Sequence, residues 1–200
     1  MNDFNGVIIL NKPRGSSSHR MVSIARRALD MKKIGHTGTL DPGATGVLPI
    51  LVGTATRASD LLTAQDKRYR ATVLLGTVTD TLDTDGKVIA ENPVNAAEAD
   101  IRRSVSAFVG NIEQLPPMFS AVQVGGQRLY HLARQGIEIE RKPRSVTIYS
   151  IDILSIDIPR VTIDVHCSKG TYIRTLAADI GDKLGCGACI ESLTRTQSGD

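Results

Sequence analysis

One carboxylate in this 200-residue chain is framed for chemistry. Asp41 lies inside Gly35-His36-Thr37-Gly38-Thr39-Leu40-Asp41-Pro42-Gly43-Ala44-Thr45-Gly46-Val47, a run holding four glycines and one proline. Such a run bends where residues with larger side chains would resist. A rigid loop presenting a single carboxylate is what a nucleophile or a general base needs. Asp41-Pro42-Gly43 by itself is also an ordinary turn, with Asp bonding its own backbone and Pro fixing φ. The whole run is longer than a turn needs, and it leads directly into the apolar stretch Val47-Leu48-Pro49-Ile50-Leu51-Val52.

Other chemistries fit less well. A glycoside hydrolase needs a second carboxylate in a comparable frame; Asp179 and Glu191 are candidates, and neither sits in such a loop. No Gly-Lys-[Ser/Thr] follows the glycines, so a P-loop is excluded. Asp80, Asp83, Asp85 and Gly86 invite a calcium reading, but with Gly86 at loop position 6 the first and twelfth positions would be Thr81 and Asn92. A solvated loop with a turn is expected there. Three cysteines argue against a disulfide framework. Cys186 and Cys189 with His166 and Cys167 make a Cys3His zinc set conceivable on residue types. The spacing is not that of a zinc ribbon, and buried free thiols near strand ends are the expectation.

Hydrophobic residues make up 41% of the chain and charged residues 22%, as in a globular protein with a substantial core. No apolar run approaches the roughly 20 residues of a membrane span. The opening Met1-Asn2-Asp3-Phe4-Asn5 has no basic region followed by an apolar one, which predicts no secretory signal and a cytoplasmic protein. Net charge is +3, mildly basic. Its distribution matters more: Arg26, Arg27, Lys32 and Lys33 precede the Asp41 loop, Lys67, Arg68 and Arg70 flank Tyr69, and Arg141, Lys142 and Arg144 form a third cluster. Each alone reads as a solvated face; three together suit a phosphate backbone.

The elements that must position Asp41 read as follows. Gly6 to Leu10 is a buried strand, and Ser16-Ser17-Ser18 caps a helix over about 19–29 with Met21, Ile24, Ala25 and Ala28 on one face. After the loop come a strand over 47–52 and a helix over about 55–63. Residues 67–78 are extended, with Tyr69, Ala71, Val73 and Leu75 alternating with polar neighbours. A polar loop spans 79–86, a hairpin returns over 87–90, and Asn95 caps a helix to about Phe108. Residues 116–144 form one excursion that turns at Gly125-Gly126 and holds a short helix over about 127–135. A strand pair over 145–157 and 160–167, a helix over about 171–184 and a last strand over about 189–195 complete an α+β arrangement on a mixed, mostly antiparallel sheet.

Four blocks in order carry a resemblance over essentially the whole chain: Asn11-Lys12-Pro13, the Asp41 run, Asp66-Lys67-Arg68-Tyr69-Arg70, and Ser168-Lys169-Gly170-Thr171-Tyr172-Ile173-Arg174-Thr175-Leu176. Together they resemble the TruB family of RNA pseudouridine synthases, the bacterial tRNA pseudouridine-55 synthases. The resemblance implies the pseudouridine synthase fold, with residues 1–200 as catalytic domain and 116–144 as a thumb-like insertion that grips RNA. That family normally continues into a further segment and often a small C-terminal RNA-binding domain. This sequence stops at Ser198-Gly199-Asp200, so that domain is expected to be absent or truncated.

The resemblance also implies an activity: isomerisation of uridine to pseudouridine, in the form of uridine 55 in the T-arm loop of tRNA. The alternative is a non-catalytic RNA-binding module of the same fold. By the same resemblance Asp41 is the nucleophile and Arg174 pairs with it. Tyr69 stacks on the flipped base and serves as base for the C5 proton. His36 occupies the space the base vacates, Tyr172 lines the pocket wall, and Leu193 holds the apolar pocket position. Lys12 supports the site loop. No cofactor or metal is implied, the expected partner is tRNA and not a membrane, and a monomer is expected.

Overall fold

The computed structural model describes residues 4–199; Met1–Asp3 and Asp200, on which the expectations about the two ends of the chain partly rest, lie outside the described residues. The chain groups into two compact units, residues 1–70 with 193–200, and residues 71–192.

The first unit begins with strand β1 (Gly6–Lys12), helix α1 (Ser18–Leu29), β2 (Ile34–His36) and β3 (Thr45–Val52). A 3-10 turn (Gly53–Ala58) and the short helix α2 (Ser59–Thr63) lead to β4 (Lys67–Leu75), which runs on into the second unit. β1 and β2 both pair antiparallel with β3, and Thr194 and Arg195 pair with it in parallel at Thr45 and Gly46. Ser17 caps α1, its side chain accepting from the Arg20 amide. The buried stripe of α1 is Ser18, Met21 and Val22, with Ala25 and Leu29 behind it. Ile24, expected on that stripe, is exposed; at 100° per residue it falls about 60° outside Met21, the edge of the stripe, and about 160° from Val22. β1 departs further from expectation. It is an edge strand, and Val7, Ile8 and Ile9 are exposed where a buried strand was predicted. An apolar run specifies a strand but does not say how many neighbours it will have.

The second unit takes the rest of β4, then β5 (Thr77–Thr79), β6 (Val88–Glu91), α3 (Glu98–Ser106), β7 (Gly110–Gln114), β8 (Gln123–Val124), β9 (Gln127–Arg128) and α4 (Leu129–Arg134). β10 (Arg144–Asp157), β11 (Arg160–Cys167), α5 (Ile173–Lys183) and the first part of β12 (Ala188–Ser198) follow. The strands lie in the order β12-β4-β11-β10-β7, with β10 antiparallel to both β11 and β7. Ile148, Ile163, Val165, Leu176 and Ile180 form part of its core. α3 starts at Glu98, three residues after the expected cap at Asn95. The Asp100 carboxylate reaches back to accept from the Ala97 amide at 3.2 Å, which ties down the first turn there. Cys167, Cys186 and Cys189 are buried and are not joined in disulfides.

Candidate active site

The Asp41 loop is anchored by side chains from three distant points of the first unit. On its N-terminal side, the Ser18 hydroxyl accepts from the Leu40 amide at 2.9 Å and donates to the Leu40 carbonyl at 3.1 Å. Leu40 is itself buried in the core of the unit. On its C-terminal side, the Pro42 carbonyl accepts from the Gly15 amide at 2.8 Å and from Lys12 Nζ at 3.3 Å. The Lys12 ammonium also donates to the Ser16 and Pro13 carbonyls, at 2.7 and 3.0 Å. Lys12 is fully buried. Burial pushes its pKa down, and the charge of Asp41 pulls it back up. Within the loop, the Ala44 amide donates to the Asp41 carbonyl at 3.1 Å, so the expected Asp-Pro-Gly turn is present. It does not exhaust the run.

Arg195 supplies the third anchor. Its Nε donates to the Val47 carbonyl at 2.8 Å and its Nη2 to the Gly38 carbonyl at 3.2 Å, with the side chain fully buried. Gly46 admits this arrangement. A Cβ there would stand 2.2 Å from the Arg195 carbonyl oxygen, and its φ of +102° is one that few residues other than glycine adopt. Asp41 is left half-buried on a loop held from both sides.

Three more of the expected residues belong to the same unit. Tyr69 and Leu193 are half-buried against the cluster that contains Leu40 and Ala44, the residues bracketing Asp41. His36 lies on β2 opposite Ile50, half-buried. Burial, then the neighbouring charges of Arg195 and His19, lower its pKa, so the ring is neutral near pH 7.

Tyr172 and Arg174 belong to the second unit. Tyr172 precedes the first turn of α5, and Gln114 clamps its backbone: Oε1 accepts from the Tyr172 amide at 2.9 Å, and Nε2 donates to its carbonyl at 3.2 Å. Arg174 is only 5% exposed. Its Nη1 donates to the Thr81 carbonyl and its Nη2 to the Phe119 carbonyl, each at 2.7 Å. The Asp83 carboxylate stands 3.7 Å from Nη1, and accepts from the Thr81 hydroxyl at 2.6 Å. The acid-rich loop is therefore more than a solvated turn: Asp83 and Thr81 help seat a buried guanidinium.

The basic clusters are uneven. Lys67 is buried, its ammonium donating to the Thr63 and Gln65 carbonyls at 2.7 and 2.5 Å, so it is a structural cation rather than a phosphate contact. Arg141 donates to the Pro116 carbonyl at 3.0 Å and to Glu138 at 2.9 Å, closing the excursion at its base. Within that excursion Leu129 is buried, the Tyr130 and His131 rings lie 4.2 Å apart, and the Arg134 guanidinium sits 5.7 Å over the Tyr130 ring.

The crystal structure of a Cbf5-Nop10-Gar1 complex contains a chain with 35% identity and a TM-score of 0.76, covering 97% of this chain and 49% of that one. An H/ACA RNP bound to a substrate RNA containing 2'-deoxyuridine gives 31% identity and a TM-score of 0.72, covering 97% of this chain and 47% of that one. Residues 26–173 match the family model described as TruB family pseudouridylate synthase (N terminal domain). The fold is that of the pseudouridine synthases. The chain belongs to the TruB family. The proteins named tRNA pseudouridine synthase B from Alkaliphilus oremlandii (strain OhILAs) and Thiobacillus denitrificans (strain ATCC 25259 / T1) are each 52% identical to it, over 98% of this chain and over 66% and 65% of their own length. The chain thus spans just under two thirds of these relatives.

Proposed function

We propose that this protein isomerises uridine to pseudouridine in RNA, at uridine 55 in the T-arm loop of tRNA. Relatives of half-identical sequence named tRNA pseudouridine synthase B support the reading, and the triply anchored Asp41 loop carries it. The reaction breaks the N1–C1′ bond, turns the uracil and rejoins it through C5, with no net redox change and no external reactant. It asks for a nucleophile, a base for the C5 proton, and a pocket that keeps the detached base from water.

In this reading residues 1–200 act as the catalytic domain. Asp41 is the nucleophile, and a held loop means little reorganisation when it attacks. Arg174 is the cation that pairs with the carboxylate and keeps it ionised. Tyr69 stacks on the flipped base, and its hydroxyl takes the C5 proton. His36, neutral near pH 7, fills the space the base leaves, where a flat uncharged ring stacks without desolvating a cation. Tyr172 and Leu193 give the pocket its apolar walls. Residues 116–144 act as a thumb on the RNA loop, with Tyr130, His131 and Arg134 as a stacking platform.

The test is tritium release from T-arm hairpin RNA carrying [5-³H]uridine, run with the wild type and Asp41→Asn. The wild type releases tritium; Asp41→Asn releases none and binds the hairpin as tightly. Wild-type protein that binds the hairpin without release would make it a binding module instead.

A further inference from the structure

The charge of this chain is distributed unequally. Residues 14–33 carry six Arg or Lys and one acid, whereas the other 180 residues carry eighteen and twenty. The excess of positive charge is therefore concentrated in α1 and the segment leading from it to β2. Among the described residues, the side chains of Arg20, Arg27, Lys32 and Lys33 are exposed and make no ion pair or hydrogen bond, and neither does that of Asp30, the acid among them. Arg20 and Arg27 are seven residues apart, two turns along one face. That face lies opposite the buried stripe of Ser18, Met21 and Val22.

The helix is also fixed relative to Asp41. Ser18, in its first turn, holds Leu40. Arg26, near its end, donates to the Ile34 carbonyl at 2.8 Å and so braces the strand that carries His36. From that anchor the 12-residue helix extends about 18 Å. A face of that length meets several successive phosphates of a duplex, more than one flipped nucleotide presents.

We infer that the outer face of α1, with Lys32 and Lys33, is a docking surface for the phosphates of an RNA stem flanking the uridine at Asp41. The inference rests on the isomerase reading for its choice of RNA. Phosphate contacts of this kind set register and carry no sequence information.

The test is fluorescence-anisotropy binding of a synthetic T-arm hairpin, with its full stem or with the stem cut to its loop-closing pairs, over a series of KCl concentrations. Arg20→Gln/Arg27→Gln and Lys32→Gln/Lys33→Gln are compared with the wild type, each also in an Asp41→Asn background so that binding is read without turnover. For the full-stem hairpin each double variant weakens binding about fivefold to tenfold and lowers the salt slope by about 1 to 2. The short-stem hairpin loses less, and turnover at saturating RNA is unchanged. Wild-type affinity and slope in both double variants, or an equal loss on both hairpins, overturns the proposal; a basic face serving an acidic protein partner would give the first of these. If wild-type protein makes no pseudouridine while the variants still lose salt-dependent stem affinity, the surface stands and the isomerase reading falls.

Discussion

The hydroxyl of Ser18 closes a two-way hydrogen bond with the backbone of Leu40, 22 residues away and one residue before Asp41. Both polar groups of Leu40 are satisfied by one buried atom, so the position of Asp41 follows the position of α1.

Ser18→Ala removes both bonds at once. Leaving a buried amide and carbonyl unpaired costs about 1–3 kcal/mol each, moderated by whatever water enters. The expected outcome is a lower midpoint in urea and, in the folded protein, turnover on hairpin RNA reduced about tenfold or more, with KM little changed. A purely structural role for Ser18 would lower the midpoint and leave turnover per folded molecule at the wild-type level.

Arg174→Lys keeps a charge and loses the fork. The two bonds leave from different nitrogens of the fork, Nη1 to Thr81 and Nη2 to Phe119, and an ammonium offers its donors from one atom only. Turnover is expected to fall by 100-fold or more. Because the guanidinium is buried, stability falls too, by about 2 kcal/mol. A variant with normal turnover would remove Arg174 from the site, and one with normal stability would show its carbonyl contacts to be dispensable.

Asp179 gives a pH signature. Burial, with a smaller push from Asp182, raises its pKa from 3.8 to about 6. An acid whose pKa is higher in the folded state holds its proton longer there, so stability declines as pH climbs from about 4 to about 6 and stays lowered above that. Asp179→Asn is expected to be more stable than wild type by about 1 kcal/mol at pH 7, allowing for partial exposure, and equal to it at pH 4. Denaturant melts at the two pH values check this; equal stability at pH 7 refutes it.

Local signals were legible where local physics decides. The cap at Ser17, the turn at Asp41 and the hairpin turn at Gly125-Gly126 follow from side chains that bond their own backbone and from glycines that take positive φ. What escaped depends on partners far along the chain. Nothing around Arg195 marks it as an anchor for Gly38, since the two are 157 positions apart. Lys67 reads as part of a basic cluster, yet the turn after α2 folds carbonyls over its ammonium. Gln114 has no local feature that foretells its clamp on Tyr172. The roles given to Asp41, Tyr69, Arg174 and their neighbours came from motif resemblance, and geometry adds the scaffold beneath them.

Arg195 grips Val47 and Gly38 from 148 and 157 residues downstream. A ribosome adding about 5–20 residues per second therefore finishes the Asp41 loop several seconds to half a minute before its last anchor is made. During that interval the nascent chain exposes the carboxylate on a loop that lacks its third support. A transcript cut short before Arg195 encodes every expected site residue without the clasp that holds the Asp41 loop at Gly38 and Val47.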